Sequence, residues 1–240
     1  MHDAVDRVVT PFLAAVDAAL GPGYTAILYG SGARGDFVPG HSDINLMLIL
    51  DDITPPTLQA LGPAFEHWRK KSPEPPLLIG RSEWREAADT FPIEIADMRA
   101  ACRVLRGADP LAGLVVERSD LRRAVERELR GKLLRLRQGY TAAAGDPAVL
   151  GLVARRSAAG LKVLLRVILV LLGRAVPQDA LELAAAAAGA VGIDGEPLLD
   201  VIRHRAQRDW RCSPAEFEEY LQAVARATAF VDQLQLGDQR

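Results

Sequence analysis

The segment YTAILYGSGARGDFVPGHSDINLMLILDD, residues 24–52, limits the fold more than any other part of the chain. Its two apolar runs, YTAILY and INLMLIL, read as strands, the second buried on both faces. The stretch G-S-G-A-R-G follows the first run directly, and Asp51 and Asp52 stand about twenty residues further on. Taken as letters, this is a dinucleotide fingerprint with Asp51 or Asp52 as the ribose ligand. Its geometry argues otherwise. The last glycine of that fingerprint belongs in the first turns of a long crossover helix, and a complete crossover takes roughly 10–12 residues or more. Only residues 36–43 separate Gly35 from Ile44, and Pro39-Gly40 among them would break a helix midway. Asp51 and Asp52 read equally well as a strand-ending turn before Thr54. A Walker A loop is excluded, because no G-K-[ST] follows.

The second strand opens with Ser42-Asp43-Ile44-Asn45, and residues two apart on a strand share a face. A Gly-Ser turn after one strand and a D-x-D-like pair opening the next resemble the DNA polymerase β-like nucleotidyltransferase superfamily. Its pattern is hG[GS], then DxD, then a third acid on a later strand. Gly30, Ser31 and Asp43 match the first two parts, and PIEI (92–95) supplies the third, with Glu94 flanked by apolar residues. Gly107-Ala108-Asp109-Pro110 is similar to a segment of uncharacterised bacterial members. The resemblance carries motifs over residues 24–110. Beyond them only the layout matches, that of the kanamycin nucleotidyltransferase type, a catalytic domain followed by a helical bundle.

The resemblance implies transfer of a nucleoside monophosphate from an NTP to a hydroxyl or amine of an acceptor. It implies Asp43, Asn45 and Glu94 as catalytic residues and ligands of Mg²⁺ (or Mn²⁺), and Gly30, Ser31 and Arg34 as nucleotide-binding residues. The chemistry suits the spacing. Two Mg²⁺ ions ~3.5–4 Å apart can clamp the attacking and leaving oxygens of an in-line displacement, and Mg²⁺ takes oxygen ligands while retaining waters. A glycine admits the backbone to the phosphates, and a serine hydroxyl with nearby amides can hold a phosphate oxygen. For Arg34 the alternatives are a solvated loop arginine and a partner for Asp36. His41 reads as a loop residue.

One position departs from the pattern. Asn45 stands where the family usually has Asp, and two unit charges ~4 Å apart at an effective dielectric of 20 interact by about 4 kcal/mol. An asparagine oxygen still ligates Mg²⁺ in protein kinases. A competent site, a slow enzyme and a nucleotide-binding relic therefore all stay open. The relic would act as a nucleotide sensor or as the antitoxin-like, partner-binding half of a regulatory pair. For the third acid, Asp97 and Asp89 compete with Glu94, which leads because an acid between two isoleucines on a buried strand needs a partner. No general base stands out among Glu182, Glu216 and Glu219.

Around this segment, residues 1–112 mix helical and strand-like runs. Residues 3–20 carry helical spacing, with Pro11 calling for a kink or a later start. Thr54-Pro55 opens a helix reaching about Lys71, PPLLIG is a short strand, Ser82–Asp89 a short helix, and FPIEIADM (91–98) a third strand. From Leu114 onward only helices are expected. The first carries the stripe Leu121, Val125, Leu129, Leu133, Leu136 and Tyr140 beneath eight Lys and Arg between Arg118 and Arg137. Others cover about 147–172, 177–191 and 197–207, and a capping box at Ser213-Pro214-Ala215-Glu216 opens the last, to about Leu236. The fold class expected is an α/β (α+β) mixed-sheet domain, 1–112, followed by an all-α helical bundle, 113–240.

Net charge −2 and pI about 6.1 supply no global field for nucleic acid or membrane. LKVLLRVILVLLG (161–173) is too short to span a bilayer. Its Lys162 and Arg166 share a helical face and must snorkel, pair or face a cleft. RHRAQRDWR (203–211) reads as a helix-end salt network or a contact for RNA or a phosphorylated partner. Cys102 and Cys212 match no metal spacing, which favours reduced thiols and a cytoplasmic location. The expected partners are an NTP and an acceptor, with no membrane; nucleic acid and a homodimer stay open.

Overall fold

The computed structural model describes residues 2–35, 37 and 42–235. The chain divides into two compact units, Met1–Val116 and Glu117–Arg240. The first is built on a mixed four-stranded sheet of β1 (Thr25–Tyr29), β2 (Asn45–Leu50), β3 (Leu77–Gly80) and β4 (Cys102–Arg106), in the order β3-β2-β1-β4. β1 runs antiparallel to both β2 and β4, while β2 and β3 are parallel. Antiparallel pairing of β1 with β2 leaves no place for a Rossmann crossover.

Strand alternation divides the core into two layers. Ala26, Leu28, Leu46, Leu48 and Leu50 meet α1 (His2–Leu20) and α4 (Gly62–Arg69) through Val9, Phe12, Leu13, Val16 and Trp68. Ile27, Met47 and Ile49 meet α5 (Arg81–Arg85) and α6 (Pro92–Ala100) through Trp84, Ile95 and Met98. The α1 helix runs unbroken through Pro11, which lies on its exposed side. Packing of the opposite face outweighs the ~3 kcal/mol that an interior proline costs, so the later start does not occur. The helix expected from Thr54 to Lys71 is two helices, α3 (Pro55–Ala60) and α4, parted at Leu61 because Pro63 has no N–H to donate backward.

FPIEIADM is not a strand. Pro92 occupies the first turn of α6, and Ile95 and Met98, three apart, press on the sheet. The fourth strand is Cys102–Arg106, which sequence pattern does not mark because CRVLR is rich in arginine and only half-buried. The GADP segment closes it as a turn. Gly107 has φ +74°, and a Cβ there would lie 2.6 Å from Thr25 Oγ1 and 2.9 Å from the Tyr24 carbonyl oxygen. Asp109 accepts from the Leu111 amide at 2.9 Å, and the Pro110 carbonyl accepts from Trp84 Nε1 at 2.8 Å.

The second unit is helical: α7 (Arg118–Ala143), α8 (Pro147–Leu171), α9 (Ala180–Val191), α10 (Glu196–Arg203) and α11 (Pro214–Gln233). The predicted stripe on α7 is buried from Leu121 to Leu136, with Leu133, Leu136 and Tyr140 in or against the core of this unit, and the Ser213–Glu216 capping box forms in both directions, at 3.3 and 2.7 Å. Leu236, the expected end of the last helix, lies outside the described residues. The α7 arginines form ion pairs, Arg122 and Arg130 both with Glu126 and Arg130 also with Asp232. Residues 203–211 form a helix-end network: Arg203 pairs with Glu196 at 3.0 Å, Arg205 caps the Ile202 carbonyl at 2.8 Å, and His204 stacks on Trp210 at 4.7 Å. Among the described residues no helix is long and apolar enough to cross a membrane.

Candidate active site

The antiparallel register brings the ends of β1 and β2 together, with Tyr29 opposite Asn45. The glycine-serine turn leaves β1 at this point. Gly30 has φ 68° and ψ −150°, a region essentially restricted to glycine. It starts α2 (Ser31–Arg34), a single turn held by bonds from the Ala33 and Arg34 amides to the Gly30 carbonyl at 3.1 Å. A Cβ on Gly30 would overlap the Asn45 side-chain amide, meeting Nδ2 first and Cγ at 3.3 Å. Asn45 therefore packs directly on the turn, its amide nitrogen foremost.

Asp43 and Asn45 line a cleft of about 650 Å³ with Tyr29, Phe65, Glu74, Pro75, Pro76 and Leu77. Asp43 is exposed and Asn45 half-buried. Ser31 and Glu94 are not among the residues lining it. Tyr29 is the link to Glu94: burial raises its phenol, and the negative charges of Glu94 and Asp97 raise it further. Glu94 stands in the first turn of α6 and is exposed, so its isoleucine neighbours in sequence do not enclose it. The buried strand acid expected at this position is thus a surface carboxylate on a helix.

The other two acids are engaged elsewhere. Asp97 is buried and binds Arg34, whose Nη1 lies 3.0 and 3.2 Å from its two carboxylate oxygens. The side chains are 7% and 8% exposed, so Arg34 is not a solvated loop arginine. Asp36 and His41 lie outside the described residues. Asp89 lines a separate hollow with Glu83 and Glu86. Asp51 pairs with Arg81. Asp52 accepts from the Thr54 amide at 2.9 Å and the Thr57 hydroxyl at 2.8 Å, bonds that lower its carboxyl pKa. Both stand in the turn that ends β2, and the antiparallel β1–β2 pair removes the crossover on which the ribose-ligand reading depended.

Asp43 precedes β2, whose first residue is Asn45, so the two are not a pair on one strand as the sequence suggested; both line the cleft, and carboxylate and amide oxygens are the donor types a hard divalent cation takes. Among the described residues no three His, Cys, Asp or Glu side chains cluster to hold a metal. The cleft lining offers two carboxylates, Asp43 and Glu74, and one amide, Asn45. Sequence pattern singles out neither Tyr29 nor the pairing of Asp97 with Arg34. Asp97 sits three residues after Glu94, a helical spacing visible only once 92–100 is read as a helix.

No family model matches the chain, and no curated protein matches it. Among solved structures it is similar to the spectinomycin adenyltransferase AAD(9) from Enterococcus faecialis, crystallised with ATP and spectinomycin. The match has a TM-score of 0.59 at 14% identity and covers 93% of this chain and 99% of that one. At that identity the likeness is one of fold: a nucleotidyltransferase-type mixed-sheet domain followed by a helical region, along nearly the whole length of both chains.

Proposed function

We propose that this chain is a nucleotidyltransferase that moves a nucleoside monophosphate from an NTP to a hydroxyl or amine of an acceptor. One observation carries the reading: Asp43, two residues before the start of β2 at Asn45, lines one cleft with Asn45, and Asn45 packs against the turn that follows β1. In the reaction an acceptor oxygen or nitrogen forms a bond to the α-phosphorus. The bond from that phosphorus to the bridging oxygen breaks, and pyrophosphate leaves with the electron pair. The acceptor's proton passes to a base.

Asp43 and Asn45 would hold Mg²⁺ or Mn²⁺, which when bound neutralises charge on the phosphates. Gly30 would shape the turn that meets the phosphates, and the Ser31 hydroxyl with the amides of that turn would orient them. Glu94, whose charge acts on the Tyr29 phenol, is proposed as the third acid, although it does not line the cleft. ATP is the first nucleotide to test, and spectinomycin the first acceptor, because the structural neighbour was crystallised with both. Two free cysteines agree with a cytoplasmic protein.

The experiment is incorporation of labelled nucleotide with Mg²⁺ or Mn²⁺ by the wild type, Asp43→Ala and Asn45→Asp. Activity in the wild type that Asp43→Ala abolishes supports the enzyme. A second reading, a nucleotide sensor or partner-binding relic, is favoured by the amide at position 45 and the lack of a three-acid cluster among the described residues. Activity confined to Asn45→Asp selects that reading. Calorimetry without any NTP binding sinks both.

A further inference from the structure

The α2 turn that follows Gly30 has only four residues, Ser31–Arg34, and an isolated turn of helix does not hold its own shape. Its first residue is the proposed phosphate contact, and its last reaches away from the strand to Asp97. That carboxylate is on α6, a nine-residue helix fixed to the sheet by Ile95 and Met98 in the core with Ile27, Met47 and Ile49. Both carboxylate oxygens accept from one guanidinium nitrogen, at 3.0 and 3.2 Å, and both side chains are more than nine-tenths buried. A buried ion pair seldom adds net stability over apolar residues of the same size, and its best-attested use is to fix one arrangement over others. Here the arrangement has a regular form. Ser31 stands three residues before Arg34, and Glu94 three residues before Asp97, so the pair ties together the two segments one turn from the groups proposed to act.

We infer that Arg34 and Asp97 are positioning residues, whose buried ion pair holds the Ser31 turn at a set distance from the helix carrying Glu94. Arg34 acts through Asp97 and is not itself a phosphate ligand. The inference rests on the nucleotidyltransferase reading for the roles of Ser31 and Glu94, but the tie between the segments is read independently of nucleotide.

The test compares the wild type, Arg34→Gln, Asp97→Asn and the double variant, titrated with a non-hydrolysable ATP analogue and Mn²⁺ in a calorimeter. Each single change weakens binding by tenfold or more, and the double variant is no weaker than the worse single one, because both remove the same tie. If Arg34 touched phosphate itself, Asp97→Asn would free it, and binding would be unchanged or tighter; that result overturns the inference. Hydrogen exchange of the nucleotide-free proteins supplies the second readout. Asp97→Asn speeds amide exchange tenfold or more within residues 31–35, and Arg34→Gln does so within 93–100. Unchanged exchange in the opposite segment overturns the tie. A wild type that binds no nucleotide overturns the transferase reading, while the exchange data still decide the tie. If Arg34→Gln does not fold, Arg34→Lys, which keeps the charge and loses the planar fork, replaces it in both measurements.

Discussion

Gly30 and Asn45 touch across the antiparallel pair β1–β2, the glycine having no side chain where the asparagine amide lies. The glycine is required twice at this place, once by its backbone angles and once by its neighbour. Gly30→Ala should therefore cost about 1–3 kcal/mol in backbone strain, with a further loss from displacing Asn45. Trimming the neighbour in Gly30→Ala/Asn45→Ala should recover the steric part only. Chemical denaturation of the two single variants and the double variant checks this through their failure to add.

Asn45→Asp restores a carboxylate beside the proposed ion. A unit charge ~4 Å away at an effective dielectric of 20 contributes up to about 4 kcal/mol, so Mn²⁺ affinity should rise by at least tenfold. Asp43→Ala should abolish it. Calorimetric titration with Mn²⁺ in the presence and absence of ATP reads both.

Lys132 is a buried cation of the helical unit, its Nζ donating to the Ser157 carbonyl at 3.0 Å. Burial first, and then the charge of Arg135, push its ammonium down to about 8, from an ordinary value of 10.5. Below pH 8 folded and unfolded chains both carry the proton. Between pH 8 and about 10 the unfolded chain binds more protons, so stability from this group rises with pH. The full gain is about 3 kcal/mol, since a pKa difference of one between the two states corresponds to ~1.4 kcal/mol. Lys132→Met should be more stable than the wild type at pH 7, and the gap should close toward pH 10. Urea unfolding across that range measures it.

Tyr24 and Arg106 both hold Asp17, the phenol at 2.6 Å and the guanidinium at 3.0 Å. The Arg106 hydrogen bonds chiefly, and the Tyr24 hydroxyl after them, lower the Asp17 carboxyl against the opposing effect of burial. A lowered carboxyl contributes stability that is present above the unfolded value of about 3.9 and lost as pH falls through the folded value. Tyr24→Phe should cost about 1.5–3 kcal/mol at pH 7, the range for a hydrogen bond to a charged group. The cost should shrink below pH 4, which thermal unfolding at pH 7 and pH 3 would show.

The boundary between what could and could not be read runs along particular residues. INLMLIL reads as a strand buried on both faces, a short apolar run between turn signals, and residues 45–50 of it form β2. The α7 stripe repeats every three or four residues and the Ser213 capping box closes within three, so local spacing marks both, and both form as helix features. PIEIADM failed for the same reason that the others succeeded. Alternation of apolar and acidic residues over so short a run serves a strand and a helix equally, and the choice fell to packing of Ile95 and Met98 on the sheet.

From the order of residues alone came the two strands, the glycine turn after the first and the helical second unit, since these follow from local periodicity and from what glycine and proline permit. Only the tertiary structure decided that Gly30 makes room for Asn45, that Arg34 reaches Asp97, and that Glu94 rides a helix. Those contacts join segments far apart in the chain, and a side chain's partner there is selected by burial and charge after the backbone has closed.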